Sequence, residues 1–446
     1  MVTKGRLGSG PKRMQSPLHF PPKSIRLWAI FCLVFAAAVV SCRKPCEDVG
    51  PANIDFLFKL YWQLTSKAPN DTILLSPVGI LSNLVTISLG AQSQTQRQIL
   101  ETLQFNLTKL SHDQILRGFW CIQTALNAPG TLPHTKIGSA LFTSPSALPP
   151  QTFTDRAAYT FGSKIVNMDF LDALKAENEI NEYVKDLVFG RIKDASPKLN
   201  SHTSSVLVST SFIEGLWDFP FDASQTAEMD FFVNDRKVIK VPFMYQKGQF
   251  LTYRDETVAC TLVHKTTKEA SGVYFILPDE GKMKQVEEAM SGNLLLRWYD
   301  VNVMSNEELY IPKFSLSTIY ELEETLPDLG IKDLFTQQAD LSGLSKQSGV
   351  SISRVQHKAT LEMKEDGLIA AEFTSTMVSS GPVRPPPVPS TLSPPVHPEA
   401  SKTTPHAPIR FNRPFLMGVF HQRSYTTLFW GKVINPALHG APQGKA

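Results

Sequence analysis

His357 is the residue whose type and position could best serve catalysis, because it stands before a strand-like run in "HKATLEMKEDG". A histidine there could act as a general base or as a metal ligand. However, no His-x-x-x-His, paired carboxylates or cysteine cluster lies near it, and the chain shows no Ser-His-Asp arrangement, phosphate-binding loop or zinc spacing. We therefore predict no enzyme, no catalytic residue, no metal site and no cofactor, and we assign His357 to buried hydrogen bonding.

A second unusual stretch is "KEDGLIAAEFTSTM", from Lys364 to Met377. It begins as a polar turn and continues as an alternating run of small residues, which is typical of a strand. The pattern then breaks, because residues 377–408 contain ten prolines and eight serines or threonines in 32 residues. Proline fixes φ and removes a donor, so this Pro-rich segment favours extended, solvated geometry and is excluded from a central strand. Its composition would also suit O-linked sugars.

The elements that must position these residues form one large α+β domain. The chain has 446 residues, 42% of them hydrophobic, which is ample for a large core. Residues 53–67 and 76–90 show helical patterning; Ser76 can cap the second helix, Pro77 fits its first turn and Gly90 can end it. Strand-like runs such as "SSVLVSTSFIEGLW", "GVYFILP" and "YTTLFWGKVIN" dominate the second half. A net charge of +3 gives no electrostatic argument for nucleic acid.

The N-terminus predicts a secreted protein. Basic residues precede the apolar run Leu27–Val40, so residues 1–42 are interpreted as a signal peptide with a basic extension; a signal anchor is the weaker alternative. Sequons at Asn70 and Asn106 predict N-glycosylation on exposed turns. Apart from Cys32 in the signal, the chain has Cys42, Cys46, Cys121 and Cys260, whose pairing is not readable from the sequence.

Ten further segments occur in the order found in one known family. They are "LLSPVGI", "INEYV", "GLWDFPF", "VPFMY", "FILPDEG", "IPKFSL", "ADLSGLS", "HKATLEMKEDG", "FNRPFLMGVF" and "LFWGKVINP". Together they resemble the serpin family, specifically its alpha-1-antitrypsin-like clade. The resemblance implies a serpin domain at 46–436, followed by a tail at 437–446. It also implies about nine helices around three β-sheets, with a five-stranded central sheet and an exposed reactive loop.

Inhibitory serpins trap serine proteases: the exposed loop is cut, and its hinge inserts as a new central strand. The resemblance places the hinge at Glu365 and Gly367, with an inward set that faces the core on insertion. Two members of the inward set depart from the family's small residues. Leu368 would overpack at about 1–3 kcal/mol, and Glu372 would bury a carboxylate at a cost of several kcal/mol. We therefore expect slow insertion. The inward set is Leu368, Ala370, Glu372 and Thr374.

The bait and the polar cluster under the sheet also depart from the family. The expected cut lies between Gly381 and Pro382, a bond that most serine proteases avoid. Other basic candidates are Arg384, Lys402 and Arg410. In the cluster, Ser76 and His357 match, Gly79 replaces a second serine, and Ser209 replaces an asparagine. The resemblance also places Trp217 at the top of the main sheet.

Three functions remain open. The first is a non-inhibitory or weakly inhibitory secreted serpin that displays the loop from Gly381 to Pro408 to an extracellular protein partner. The second is an extracellular serine protease inhibitor that uses residues 381–410 as bait. The third is a carrier of a small hydrophobic ligand near "LLLRWYD", although Leu295 and Trp298 more often just cover core. We expect a monomer that binds no nucleic acid and has no membrane span once the signal is removed.

Overall fold

The computed structural model describes residues 45–128, 135–193, 195–200, 202–268, 271–301, 303–347, 349–380, 408–422, 424 and 426–437. Within these ranges the chain forms nine α-helices, which agrees with the expected number. Six of them precede residue 190, as the patterning of the first half predicted. The helices are α1 Pro45–Lys67, α2 Pro77–Gly90, α3 Ser93–Thr102, α4 His112–Leu126, α5 Gln151–Phe161, α6 Ala173–Leu187, α7 Met283–Ala289, α8 Gly292–Val301 and α9 Leu326–Leu329.

Fifteen strands are described, most of them in the second half of the chain. They are β1 Ile73–Leu75, β2 Thr135–Thr143, β3 Lys164–Asn167, β4 Thr203–Leu216, β5 Ala227–Asn234, β6 Lys237–Asp255, β7 Cys260–Thr266, β8 Ser271–Pro278, β9 Val303–Pro312, β10 Phe314–Glu321, β11 Val350–Met363, β12 Gly367–Ser380, β13 Ile409–Arg410, β14 Phe415–His421 and β15 Thr426–Val433.

The described strands form two hydrogen-bonded sheets, not three as expected. The larger runs β1-β15-β14-β8-β7-β6-β9-β13, with β5 also paired to β6. The long strand β6, 19 residues, causes the difference. It pairs with β5 at its start, with β9 along its middle and with β7 at its end, so it joins regions that the resemblance implied to be separate.

The central sheet has six strands, in the order β10-β11-β12-β4-β2-β3. The central sheet therefore has one strand more than the five expected, and the loop that follows residue 380 lies outside the described residues. The hinge is β12, and it lies between β11 and β4. Met377–Ser380, which the composition places in the Pro-rich segment, belong to β12.

Helix α2 crosses beneath this sheet and is buried along all 14 residues. It is apolar nearly all round, which is the pattern of a helix inside a core. Ser76 occupies the N-cap position and Pro77 follows it, as predicted, but the Ser76 side chain makes no capping hydrogen bond. Its hydroxyl lies 3.5 Å from Ser211 Oγ instead, within the sheet's polar interior.

Two apolar cores cover the two faces of the central sheet. The larger lies on the side of α2 and includes Leu368 and Ala370 of β12. The smaller lies under α6 and includes Ala371 and Phe373 of the same strand. Strand β12 is therefore buried on both faces, as expected for a central strand.

Candidate functional site: the inserted hinge strand

Strand β12 pairs antiparallel with both neighbours along nearly its whole length. Its register with β4 runs from Gly367 opposite Leu216 to Ser379 opposite Thr203. Its register with β11 runs from Leu368 opposite Met363 to Ser380 opposite Val350. The hinge thus fills a strand position in the sheet while the polypeptide is uncut.

The start of the hinge is held by polar contacts and a close backbone approach. Glu365 accepts hydrogen bonds from Thr226 Oγ1 at 2.9 Å and from Lys313 Nζ at 3.3 Å. Burial alone would raise the pKa of Glu365, but Lys313 and Thr226 hold it below its usual value. Gly367 has no room for a side chain, because a Cβ there would clash with the Gly215 carbonyl.

Leu368 is accommodated without overpacking. It lies directly opposite Gly215 on β4, which has no side chain to compete for the space. A Cβ on Gly215 would lie 3.7 Å from Leu368 Cγ, and Leu368 itself is 2% exposed. Leu368 is thus buried in ordinary van der Waals contact, without the overpacking that its size predicted.

Glu372 is fully buried and occupies space next to Gly79 on α2. A Cβ built on Gly79 would clash with all three terminal atoms of the Glu372 carboxyl group. From the sequence, Gly79 was expected only to lack the hydroxyl of a serine. In the structure its missing side chain makes the room that Glu372 fills.

A chain of hydrogen bonds connects Glu372 to the start of α2. The Ser76 backbone N–H donates to His357 Nε2 at 3.1 Å. Nε2 must therefore be unprotonated, so Nδ1 carries the hydrogen and donates to Thr374 Oγ1 at 2.8 Å. Thr374 in turn donates to Glu372 Oε2 at 2.9 Å. With Ser211, these residues (Ser76, His357, Thr374 and Glu372) are called the Glu372 cluster.

Burial sets the protonation of this cluster. It lowers the pKa of His357 to about 3 and raises the pKa of Glu372 to about 8, and hydrogen bonds from Thr374 and Ser211 oppose the second shift only in part. Near neutral pH both groups are uncharged. Glu372 Oε1 has no partner of hydrogen-bond geometry among the described residues, which leaves it able to carry the proton.

The apolar burial of the inserted strand opposes the cost of that proton. Protonating a carboxyl group of pKa about 4.5 at pH 7 costs about 3 kcal/mol. Burying a large apolar side chain gives about 1.5–3 kcal/mol. Leu368, Phe373, Met377 and Val378 are each at most 4% exposed in β12, so four such contributions oppose one protonation.

An asparagine does form hydrogen bonds inside the central sheet's polar interior. It lies on α2, whereas it was expected on a strand. Ser209 on β4, at the position assigned to the asparagine, is buried and its hydroxyl has no partner among the described residues. Asn83 on α2 donates to Thr374 O at 3.2 Å and to Leu207 O at 3.4 Å, and accepts from Thr376 Oγ1. Sequence reasoning missed Asn83, although a lone amide in an apolar helix was an available signal.

Trp217 lies at the end of β4 beside the entrance of the hinge and is 1% exposed. Its Nε1 donates to Lys364 O at 3.1 Å. Lys265 Nζ lies 5.3 Å from the Trp217 ring centre and donates to Phe219 O at 2.6 Å. Burial lowers the pKa of Lys265 to about 7. Trp217 therefore ties the hinge turn to the larger sheet.

Most of the predicted bait lies outside the described residues: Gly381, Pro382, Arg384 and Lys402. Arg410 is described as an exposed residue of β13, with its guanidinium 5.1 Å from the centre of the Tyr310 ring. The positions of the bait candidates relative to one another are therefore not described by the structure.

The two sequons lie on the surface. Asn70 is exposed in a turn after α1. Asn106 is also exposed, and its Oδ1 accepts from Thr108 Oγ1 at 2.6 Å. Both side chains are therefore accessible to a modifying enzyme.

The cysteines, which the sequence left unpaired, form one described disulfide. Cys46 on α1 is bonded to Cys121 on α4. Cys260 is a buried free thiol, and burial raises its pKa to about 12. Since the thiolate is the reactive form, Cys260 is inert.

The candidate ligand site of the third function is occupied by core contacts. Trp298 is fully buried and donates to Asp255 Oδ2 at 2.8 Å, while Arg297 pairs with the same carboxylate at 2.7 Å. Leu295 is also buried. These residues are engaged with the protein itself.

No helix among the described residues is both long and apolar enough to cross a membrane. No group of three or more His, Cys, Asp or Glu side chains within the described ranges could hold a metal ion.

Comparison with known proteins agrees with this architecture. A profile of the family described as Serpin (serine protease inhibitor) matches residues 51–436. Human kallistatin is 36% identical over 398 residues, covering 88% of this chain and 89% of that protein. Corticosteroid-binding globulin from Bos taurus is 34% identical, covering 89% and 93% respectively. The crystal structure of human thyroxine-binding globulin with its ligand superposes with a TM-score of 0.76 at 31% identity, covering 88% of this chain and 99% of that chain. The chain belongs to the serpin family.

Proposed function

We propose that this protein is a secreted serpin that does not trap proteases by loop insertion. In its place we propose a binding role, in which the segment from Gly381 to Pro408 is presented to an extracellular protein partner. The observation that carries the proposal is the position of β12. Trapping depends on a hinge that stays outside the sheet until a protease cuts the loop. A hinge that already lies between β11 and β4 leaves no insertion to drive that step.

The length of the chain after the hinge supports this proposal. Strand β12 has 14 residues and so spans about 45 Å at about 3.3 Å per residue. The 28 residues from Gly381 to Pro408 can span about 85 Å at about 3.1 Å per residue in polyproline geometry. The uncut chain can therefore return from the end of β12, and Ile409 and Arg410 stay paired with β9.

The test compares the intact protein with protein nicked between residues 381 and 408, with the nick mapped by mass spectrometry. Hydrogen exchange of the β12 amides and the thermal midpoint are measured in both. We expect protected β12 amides before nicking and a midpoint that changes by only a few degrees. Protection that appears only after nicking, with a midpoint tens of degrees higher, would overturn the proposal.

The alternative is an inhibitor with Arg384, Lys402 or Arg410 as bait, and the family's description as serine protease inhibitors favours it. Incubation with a trypsin-like protease separates the two. We expect cleavage without an SDS-resistant complex. A stable 1:1 complex that is lost when one of these basic residues is replaced by alanine would establish the inhibitor.

A carrier function is supported only by the names of two relatives, corticosteroid-binding globulin and thyroxine-binding globulin. Its test is quenching of tryptophan fluorescence by a steroid or an iodothyronine. We expect no saturable quenching, because Trp298 and Arg297 are held by Asp255.

The proposal includes secretion, with residues 1–42 as the signal peptide and sugars on Asn70 and Asn106. The exposure of both asparagines supports it. Expression in a secreting cell, with and without replacement of each asparagine by glutamine, checks both parts. Each replacement should lower the apparent mass of the secreted protein by one glycan.

A further inference from the structure

We propose that Gly79 and Glu372 form a matched pair that couples insertion of the hinge to the uptake of one proton. Insertion is then favoured in acidic medium and weakens as the pH rises through neutrality. The inference rests on the inserted hinge of the proposed function, but it adds a steric lock and a control by pH. It concerns only whether β12 enters the sheet, whatever the Pro-rich segment binds.

The steric half of the pair is specific to this glycine. Gly79 is the third residue of α2, and all three terminal atoms of the Glu372 carboxyl group would clash with a Cβ on it. A serine at position 79, the residue that the family resemblance predicts there, would force the Glu372 carboxyl group out of the place it occupies in the inserted strand. Gly79 and Glu372 are both departures from the family pattern. The space left by the missing side chain of Gly79 is filled by the carboxyl group of Glu372.

The electrostatic half follows from what surrounds the carboxyl group. From α2 it faces Gly79, from β4 it faces Ser211, and from β11 it faces His357. Among the described residues His357 is the sole titratable group within ion-pair distance, with Nδ1 3.7 Å from Oε2. No Lys or Arg within the described part of the chain shifts the pKa of Glu372.

His357 cannot take the proton in place of Glu372. Its Nε2 accepts from the Ser76 backbone N–H, which is a donor at every pH. A protonated ring would place two N–H groups against each other, so the imidazole stays neutral. The proton that neutralises this site must therefore reside on the Glu372 carboxyl group.

The sign of the pH effect follows from linkage. When the hinge is out, Glu372 is solvated and has a pKa near 4.5; in β12 the pKa is about 8. The inserted state thus binds one more proton between these two values. The equilibrium constant for insertion should fall about tenfold per pH unit from about pH 5 to pH 8, and should level off above.

The test uses the full uncut chain and follows hydrogen exchange of the β12 amides between pH 5.5 and 8.5, with rates corrected for intrinsic exchange at each pH. We expect the protection of β12 to fall about tenfold per pH unit up to about pH 8 and then to level off, while β2 of the same sheet stays constant. Glu372→Gln keeps the shape without the proton, so its protection should not vary with pH. A flat profile in the wild type, or the same slope in Glu372→Gln, would refute the proton coupling.

A double-mutant cycle tests the steric half. Gly79→Ser alone should lower the protection of β12 at least a hundredfold, although serine suits a helix better than glycine does. Glu372→Ala should restore most of that loss in the Gly79→Ser background. Additive effects of the two changes would reject the pairing. If Gly79→Ser does not fold, the pH profile of Glu372→Gln still decides the inference.

These outcomes remain separate from the proposed function. Unprotected β12 amides at every pH would mean that the hinge is out, and both proposals would fail. Protected amides without pH dependence or coupling would reject this inference alone.

Discussion

His357 and Glu372 respond to pH in opposite directions, although they share one cluster. The folded pKa of His357, about 3, lies below the ordinary value of 6.5, so its contribution to stability is lost as the pH falls from 6.5 towards 3. The folded pKa of Glu372, about 8, lies above 4.5, so stability is lost as the pH rises from 4.5 towards 8. The two effects cancel between about pH 4.5 and 6.5.

His357→Gln isolates the contribution of His357 to the pH dependence of the free energy of unfolding. A glutamine amide can both accept from Ser76 N–H and donate to Thr374, so the hydrogen-bond chain survives in part. We expect a loss of about 1 kcal/mol in the free energy of unfolding at pH 7. We expect the variant to gain on the wild type by about 1.4 kcal/mol per pH unit as the pH falls from 6.5 to 4.5. Urea unfolding at each pH measures both quantities.

The exposed His202 provides the control for this series. His202→Gln should differ from the wild type by less than about 0.5 kcal/mol at every pH, because surface changes of this kind have small effects. A His357→Gln profile parallel to the wild type would show that His357 titrates normally, contrary to its burial.

At the level of elements, the packing of β12 against β4 shows whether the hinge sequence is suited to a central strand. Leu368 faces Gly215, and the leucine is almost fully buried. If the site is well packed, Leu368→Ala should lower the free energy of unfolding by about 2–4 kcal/mol, through lost transfer energy and a residual cavity. If Leu368 were overpacked, as its size alone suggested, truncation would be neutral or stabilising. The urea midpoint at constant m-value distinguishes the two.

Ile369 is a matched control for that truncation, because it is the next residue on β12 but points to the other face and is only partly buried. Ile369→Ala should cost about half as much. An equal cost in both variants would indicate a general loss of strand propensity, with no added contribution from the deeper burial of Leu368.

The disulfide acts between two helices that are far apart in sequence. Cys46 on α1 and Cys121 on α4 are separated by 75 residues, and closing such a loop restricts the unfolded chain. We expect the double variant Cys46→Ala/Cys121→Ala to lose about 2–5 kcal/mol in the free energy of unfolding. Reduced wild-type protein should unfold at the same urea concentration as the variant, and reductant should leave the variant unchanged. An effect of reductant on the variant would point to another thiol.

For the whole molecule, the sequence was sufficient to predict those features that depend on local periodicity or on the order of segments along the chain. Ten segments in family order predicted the fold, and the apolar run from Pro77 to Gly90 predicted the buried helix α2. The alternation after Gly367 predicted which side chains of the hinge face α2. Each of these depends on periodicity or on order along the chain, both of which a single sequence displays.

Contacts between distant residues were not predictable in this way. Gly79 appeared as a lost hydroxyl because its function depends on Glu372, almost 300 positions later. Asn83 was overlooked because its partners, Thr374 and Thr376, reach it only once β12 is in the sheet. The predicted number of strands in the central sheet was wrong for a related reason. The hinge can lie in either of two places, and local pattern does not decide between them.

The length of the chain after the hinge should decide whether the hinge lies inside or outside the central sheet. Removing residues 385–404 leaves eight residues between Ser380 and Ile409. These reach at most about 29 Å, against the roughly 45 Å spanned by β12. The uncut short-loop variant should therefore keep β12 out of the sheet, with its amides unprotected. Nicking its loop should then raise the thermal midpoint by tens of degrees.

Replacing residues 385–404 by a Gly/Ser sequence of equal length is the control that separates length from composition. This variant should behave like the wild type, with β12 protected before nicking and little change in the midpoint afterwards. If the Gly/Ser variant expels the hinge, the prolines themselves hold β12 in place and reach is not the cause. If the short variant still protects β12 while uncut, the return path must come from release of β13 from β9, which exchange at Ile409 and Arg410 would reveal directly.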